Sequence, residues 1–285
     1  AFGGAVRNLL RGVDAGVSAR LTLAAKARLE AVSDLAGNTD SEKLSLEASP
    51  SLAPAFGLNV RASELFCGSS SCMPFGLDRM EAALFWRDAA YYEVGVDANV
   101  VIPGVIPDPG LDLLLNTIDS FQPEVFGGSV ILPLGRFDVV ASVEQQKWSE
   151  LARKFAGDTV RDQADVRFRD IVVPRVGASF RWSDQLKLFG GMALEDSPLK
   201  SSRSQDVNFL DLDKIVLGVG ADYRLASVPV IDAPVVLAFA YQYQRLDERD
   251  FELTSINSPS DPAPFETVRA DGDIQVFSVS ASLKF

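Results

Sequence analysis

The chain has 285 residues, no histidine and two cysteines. Without histidine there is no Ser-His-Asp triad and no His-based metal site. Two thiols alone are a poor zinc site, so Cys67-Gly-Ser-Ser-Ser-Cys72 offers a disulfide or redox pair at most. Glu93 and Asp97 lie four apart. On a strand that is roughly 13 Å, too far to share a proton. No nucleophile–base pair and no metal cluster emerges, so the chain does not read as an enzyme and no cofactor is expected. The formal charge of −12 disfavours nucleic acid, which needs a basic footprint.

The elements that carry these residues are strands. In Gly16–Ser33, Val17, Ala19, Leu21, Leu23, Ala25, Ala27, Leu29 and Ala31 share one parity. Arg20, Thr22, Lys26, Arg28 and Glu30 share the other. Successive side chains of a strand point to opposite faces, so one face is apolar and one polar. Arg79–Val101 repeats the pattern, with Asp88 interrupting the apolar face as a bulge or a membrane edge. Further strands are expected at 43–62, 121–133, 136–150, 168–182, 185–197, 213–225, 235–253 and 274–285, which makes ten. The last carries Phe277, Val279, Ala281, Leu283 and Phe285 on one face and serines on the other. A closing strand that ends on an aromatic residue suits an outer-membrane barrel. Ala1–Arg11 reads equally as a short helix or a strand remnant.

Connections alternate in length. Residues 134–136 and 183–184 are short, whereas 34–42, 102–120, 151–167, 198–212 and 254–273 are long and polar. Short periplasmic turns and long extracellular loops are the barrel pattern, with 63–78 and 226–234 longer than such turns usually are. A soluble sandwich also alternates, but its strands usually run about 3–10 residues. No apolar run of 18 residues exists, which excludes a spanning helix and leaves a barrel untouched. The fold expected is all-β: a transmembrane antiparallel β-barrel.

Two stretches carry a family likeness. Phe168–Pro198, with Val176-Gly-Ala-Ser-Phe-Arg181 and Glu195-Asp-Ser-Pro198, and Leu210–Arg224, with Asp211-Leu-Asp213 and Gly218-Val-Gly220, resemble FadL/TodX-type outer-membrane transporters. Weaker echoes are Val143–Ser149 and Phe85-Trp-Arg-Asp88. The resemblance implies fourteen strands plugged by an N-terminal hatch with an Asn-Pro-Ala motif. Neither that motif nor more than ten strands is found here, so residues 1–285 are expected to be a single barrel domain lacking its hatch and first four strands. The resemblance also implies passive uptake of hydrophobic compounds, such as long-chain fatty acids or aromatic hydrocarbons, across the bacterial outer membrane. Its lipid, hydrophobic small molecules and envelope proteins are the expected partners. The other reading is a non-transporting barrel that anchors an envelope assembly.

The site residues follow from parity. Arg20, Lys26, Arg28, Glu81, Glu93, Asp97, Glu144, Arg175, Arg181, Asp222 and Arg224 face inward, and their interleaved signs suit a lumen satisfied by ion pairs and water. The functional alternative is that Arg175 or Arg181 holds a ligand carboxylate. Trp86, Tyr92, Phe180, Trp182, Phe239, Tyr241, Tyr243 and Phe285 face lipid, whereas Phe85, Tyr91 and Phe189 point inward and are the aromatic ligand contacts expected. In an oxidising envelope Cys67 and Cys72 pair as a loop-stapling disulfide.

Overall fold

The computed structural model describes residues 1–33, 39–67, 77, 79–102, 105–155, 166–200, 203–204, 210–225, 234–254 and 264–283. Its strands are β1 (Phe2–Leu10), β2 (Val13–Ser33), β3 (Thr39–Arg61), β4 (Glu81–Arg87), β5 (Ala90–Ile102), β6 (Ile106–Gln122) and β7 (Glu124–Leu134). Then follow β8 (Phe137–Lys147), β9 (Ile171–Arg181), β10 (Leu186–Glu195), β11 (Arg203–Ser204), β12 (Lys214–Leu225), β13 (Val235–Thr254) and β14 (Pro264–Leu283). Among the described residues a π-helical turn, Ser63–Cys67, follows β3, and one α-helix, α1 (Ser149–Phe155), follows β8. All fourteen strands of the described residues lie in one sheet, in the order β14-β13-β12-β10-β9-β8-β7-β4-β3-β2 with β1 and β5 both on the far edge of β2, β6 beside β5, and β11 parallel to the end of β13.

The wall is antiparallel and two-faced along its length. From β8 to β12 the register aligns Ser142, Arg175, Ala193 and Val216 across four strands, all on one face. The opposite face carries Val172, Val176, Met192, Leu217, Val219, Phe239 and Val279, all substantially exposed. A soluble protein would not leave so continuous an apolar surface uncovered, and a barrel turns it to lipid. Aromatic pairs mark this outer face: Phe56 on Trp86 at 5.6 Å, Phe137 on Phe180 at 4.5 Å and Tyr241 on Phe277 at 4.8 Å. Turns between neighbouring strands are tight. Gly12 sits at φ 74° between β1 and β2 and Gly135 at φ 69° between β7 and β8, a left-handed conformation that glycine adopts without steric cost. Beside the first turn Arg61 donates to Asn8 and Glu64, each at 2.7 Å, and also pairs with Asp14, fastening β1, β2 and β3 together.

Each of the ten expected strands is present, with four departures. Ala1–Arg11 contributes a strand, β1, rather than a helix. The expected single strand Arg79–Val101 is two: β4 ends at Arg87, and Asp88 donates its amide to the Pro54 carbonyl at 2.9 Å. The expected loop 102–120 is largely the strand β6, which pairs with β5. The β5–β6 hairpin leaves the wall, where β4 and β7 pair directly, and instead runs parallel to β2 over Ala25–Val32. Finally, β14 begins at Pro264, so half of the expected loop 254–273 extends the β13–β14 hairpin. Phe285 lies outside the described residues.

Candidate functional site: an apolar lane on the inner wall

At the end of the wall where β8 leads into α1, the long connections fold into a small core. Leu151, Phe155, Val166, Leu199, Leu212 and Phe251 are buried together, with Phe121, Trp148 and Phe168 packed against them. Helix α1 supplies Leu151 and Phe155 from one face, four apart. Glu150 in its first turn and Arg153 and Lys154 in its last suit the helix dipole. The two motifs that carried the family likeness meet here. Ser197, 1% exposed, donates its amide to the Asp213 carboxylate at 2.6 Å and its hydroxyl to the Asp211 carboxylate at 2.8 Å. Its hydroxyl accepts from the Leu199 amide at 3.1 Å, and Arg249 donates to the Leu199 carbonyl at 2.9 Å. Ser-Pro and Asp-x-Asp are thus two halves of one clamp, which holds the start of the β10–β12 connection against β13 as a cap at this end of the wall.

Beneath this cap the inner wall carries a cavity of about 520 Å³ across β8 to β13, within the roughly 300–1,000 Å³ range of small-molecule sites. Gly177, Gly191 and Gly218 stand side by side on β9, β10 and β12 and leave the main chain bare. Val140, Ala193, Val216 and Ala240 border them, and Phe189 lies at one end. The Phe189 ring is laid flat by its neighbour: a Cβ on Gly220 would sit 2.3 Å from it. Among the described residues the charged lining is Arg175, whose Nη1 is 2.7 Å from Glu144 Oε1. Polar rings bound the lane. On one side Lys187 meets Asp138 at 3.4 Å, and on the other Lys214 meets Glu195 at 3.1 Å.

The structure brings together two of the five expected ligand residues, Phe189 and Arg175, at this cavity. Phe85 lies instead over Gly127 and lines a separate trough of about 630 Å³ along β1 to β4. Tyr91 packs beneath Lys154 of α1, Nζ 3.6 Å from the ring centre, and so braces the cap. Arg181 is exposed at the opposite end of the wall, in register with Lys187. Among the described residues no group of His, Cys, Asp or Glu could hold a metal. Cys72 lies outside the described residues. We propose its pairing with Cys67; intact mass spectrometry under thiol alkylation should find both cysteines blocked until reduction, and two alkylated thiols before reduction would exclude it.

The glycines of the lane were passed over in the sequence. Gly190-Gly191 and Gly218-Val-Gly220 inside strands signal a bare wall or a close approach, and Gly191 and Gly218 fall on the polar parity.

A continuous apolar belt on one face, paired charges on the other, and long connections folded into a core at one end define a transmembrane β-barrel. A family model described as outer membrane protein transport protein (OMPP1/FadL/TodX) matches residues 123–285, and the chain belongs to that family. Its members are outer-membrane proteins, and membership in a transport family is the ground for setting enzymes aside. The chain is 41% identical over 288 residues to Alkane uptake protein A of Marinobacter nauticus, covering 99% of this chain and 62% of that protein. The chain therefore spans less than two thirds of that relative's length. The crystal structure of a Pseudomonas aeruginosa FadL homologue matches with a TM-score of 0.57 at 16% identity, over 97% of this chain and 65% of that one. That likeness is one of fold.

Proposed function

We propose that this chain forms the wall of an outer-membrane channel for passive uptake of hydrophobic compounds, and that its substrates are neutral hydrocarbons such as long-chain alkanes. The observation that carries this reading is the glycine-floored lane between β8 and β13, whose described lining is apolar apart from Ser142, Tyr241, Gln242 and the neutralised Arg175–Glu144 pair. Apolar solutes cross an outer membrane poorly because its outer leaflet is polar. A dry inner wall gives them a surface that costs little desolvation. The family's transport role and the relative named for alkane uptake support the same reading.

The test uses the full-length protein in vesicles. Entry of n-hexadecane should be faster than in protein-free vesicles and should saturate. Uptake no faster than bare lipid, together with no hydrocarbon binding by the purified protein, would leave the anchoring role as the better reading.

A further inference from the structure

The uptake reading leaves open which hydrophobic molecules are refused, and the following inference rests on it. Of the described side chains that line the lane, Arg175 alone is charged. A guanidinium in an apolar cavity is the natural receptor for a carboxylate head group. Here that role is already filled from within. Glu144 stands on β8 beside Arg175 on β9 and closes on it at 2.7 Å, with side chains only 23% and 36% exposed respectively. The cations that border the lane are satisfied in the same manner: Lys187 by Asp138, and Lys214 by Glu195 and Asp211. A fatty acid anion that entered would have to displace Glu144 or lie beside it and be repelled.

We infer that Glu144 is the charge filter of this channel: by occupying Arg175 it keeps the lane neutral, so that alkanes are accepted and carboxylates of equal chain length are rejected. The pair does two things at once. It makes the arginine tolerable against bare main chain, and it removes the one anchor that an anionic lipid could use. Taking away Glu144 alone leaves a half-buried cation in search of an anion, which is the condition for binding a fatty acid.

The experiment compares hexadecane and palmitate binding to the full-length, detergent-solubilised protein at about pH 8, where a free carboxylate is ionised. Wild type should bind hexadecane at least about tenfold more tightly than palmitate. Glu144→Gln should tighten palmitate by about tenfold and leave hexadecane within about twofold. The Glu144→Gln/Arg175→Met double variant, which has no unpaired charge in the lane, should refuse palmitate again. Heat-modifiable gel mobility checks that each variant is folded, and the double variant supplies the comparison if the single one is not. Palmitate binding that is indifferent to Glu144→Gln would overturn the filter. So would wild-type palmitate binding as tight as hexadecane and lost in Arg175→Met. If wild type binds neither ligand, the uptake reading fails and the filter falls with it.

Discussion

Gly218→Phe should cut hydrocarbon uptake by at least about tenfold, equivalent to ~1.4 kcal/mol or more, and leave the barrel folded. Gly218 is the position in the lane where a side chain has room to start: nothing but the Tyr241 carbonyl, at 4.0 Å, comes near a Cβ built there. The ring would therefore grow from the wall into the proposed ligand space, between Gly191 and Gln242. Its neighbour gives the contrast. A Cβ on Gly220 meets the Phe189 ring at 2.3 Å and the Phe239 carbonyl at 2.7 Å, and the second of these cannot rotate away. Gly220→Val should cost roughly 1–3 kcal/mol by overpacking and show first as a lower unfolding temperature. The pair separates blocking from breaking. Uptake is measured in vesicles and folding by heat-modifiable mobility. Normal uptake by a folded Gly218→Phe protein would mean that the substrate does not pass along this wall.

The second large effect is expected at the cap. Phe251, 0% exposed, is the most buried large side chain described and sits among Leu151, Phe155, Leu199 and Leu212. Phe251→Ala should remove about 3–5 kcal/mol from that cluster, the usual cost of emptying an aromatic site. The cluster is small and rests on connections rather than on the ladder, so the loss should stay local. Protease added to intact cells should cut near α1 and around Leu199 at rates well above wild type, while the wall keeps its gel mobility. Loss of the whole barrel in this variant would show that the cap and the wall fold as one unit.

How much of this was legible in the sequence depended on whether one residue's surroundings decided its conformation. β2 and β14 from Ile274 onward were readable because every second residue agreed on a face, and a slip by one would expose the whole polar row to lipid. β6 was not. Pro107, Pro109 and Gly110 look like loop, and Leu113, Leu114 and Leu115 break the alternation; pairing with β5 overrides both signals. The break in Arg79–Val101 was marked by Asp88, but where the chain goes afterwards depends on the edge that β2 offers, with Ala25 opposite Val94. Within the site, parity placed Arg175 and Phe189 on the inner face but could not say which other inward residues share their height. Height is a matter of register between strands, and the sequence of one strand does not contain it. Tyr91 shows the cost: parity alone did not reveal that its neighbour is Lys154 of the cap helix.

Photolabelling tests the central idea most directly. A long-chain alkane bearing a diazirine, irradiated in outer membranes that contain the full-length protein, reports which atoms it touches once the adducts are mapped by mass spectrometry. Adducts on Ala193, Val216, Phe189 and Ala240, competed away by excess hexadecane, are the predicted result. Adducts confined to the lipid face, at Val172, Leu217 or Phe239, and indifferent to competitor would contradict passage along the inner wall.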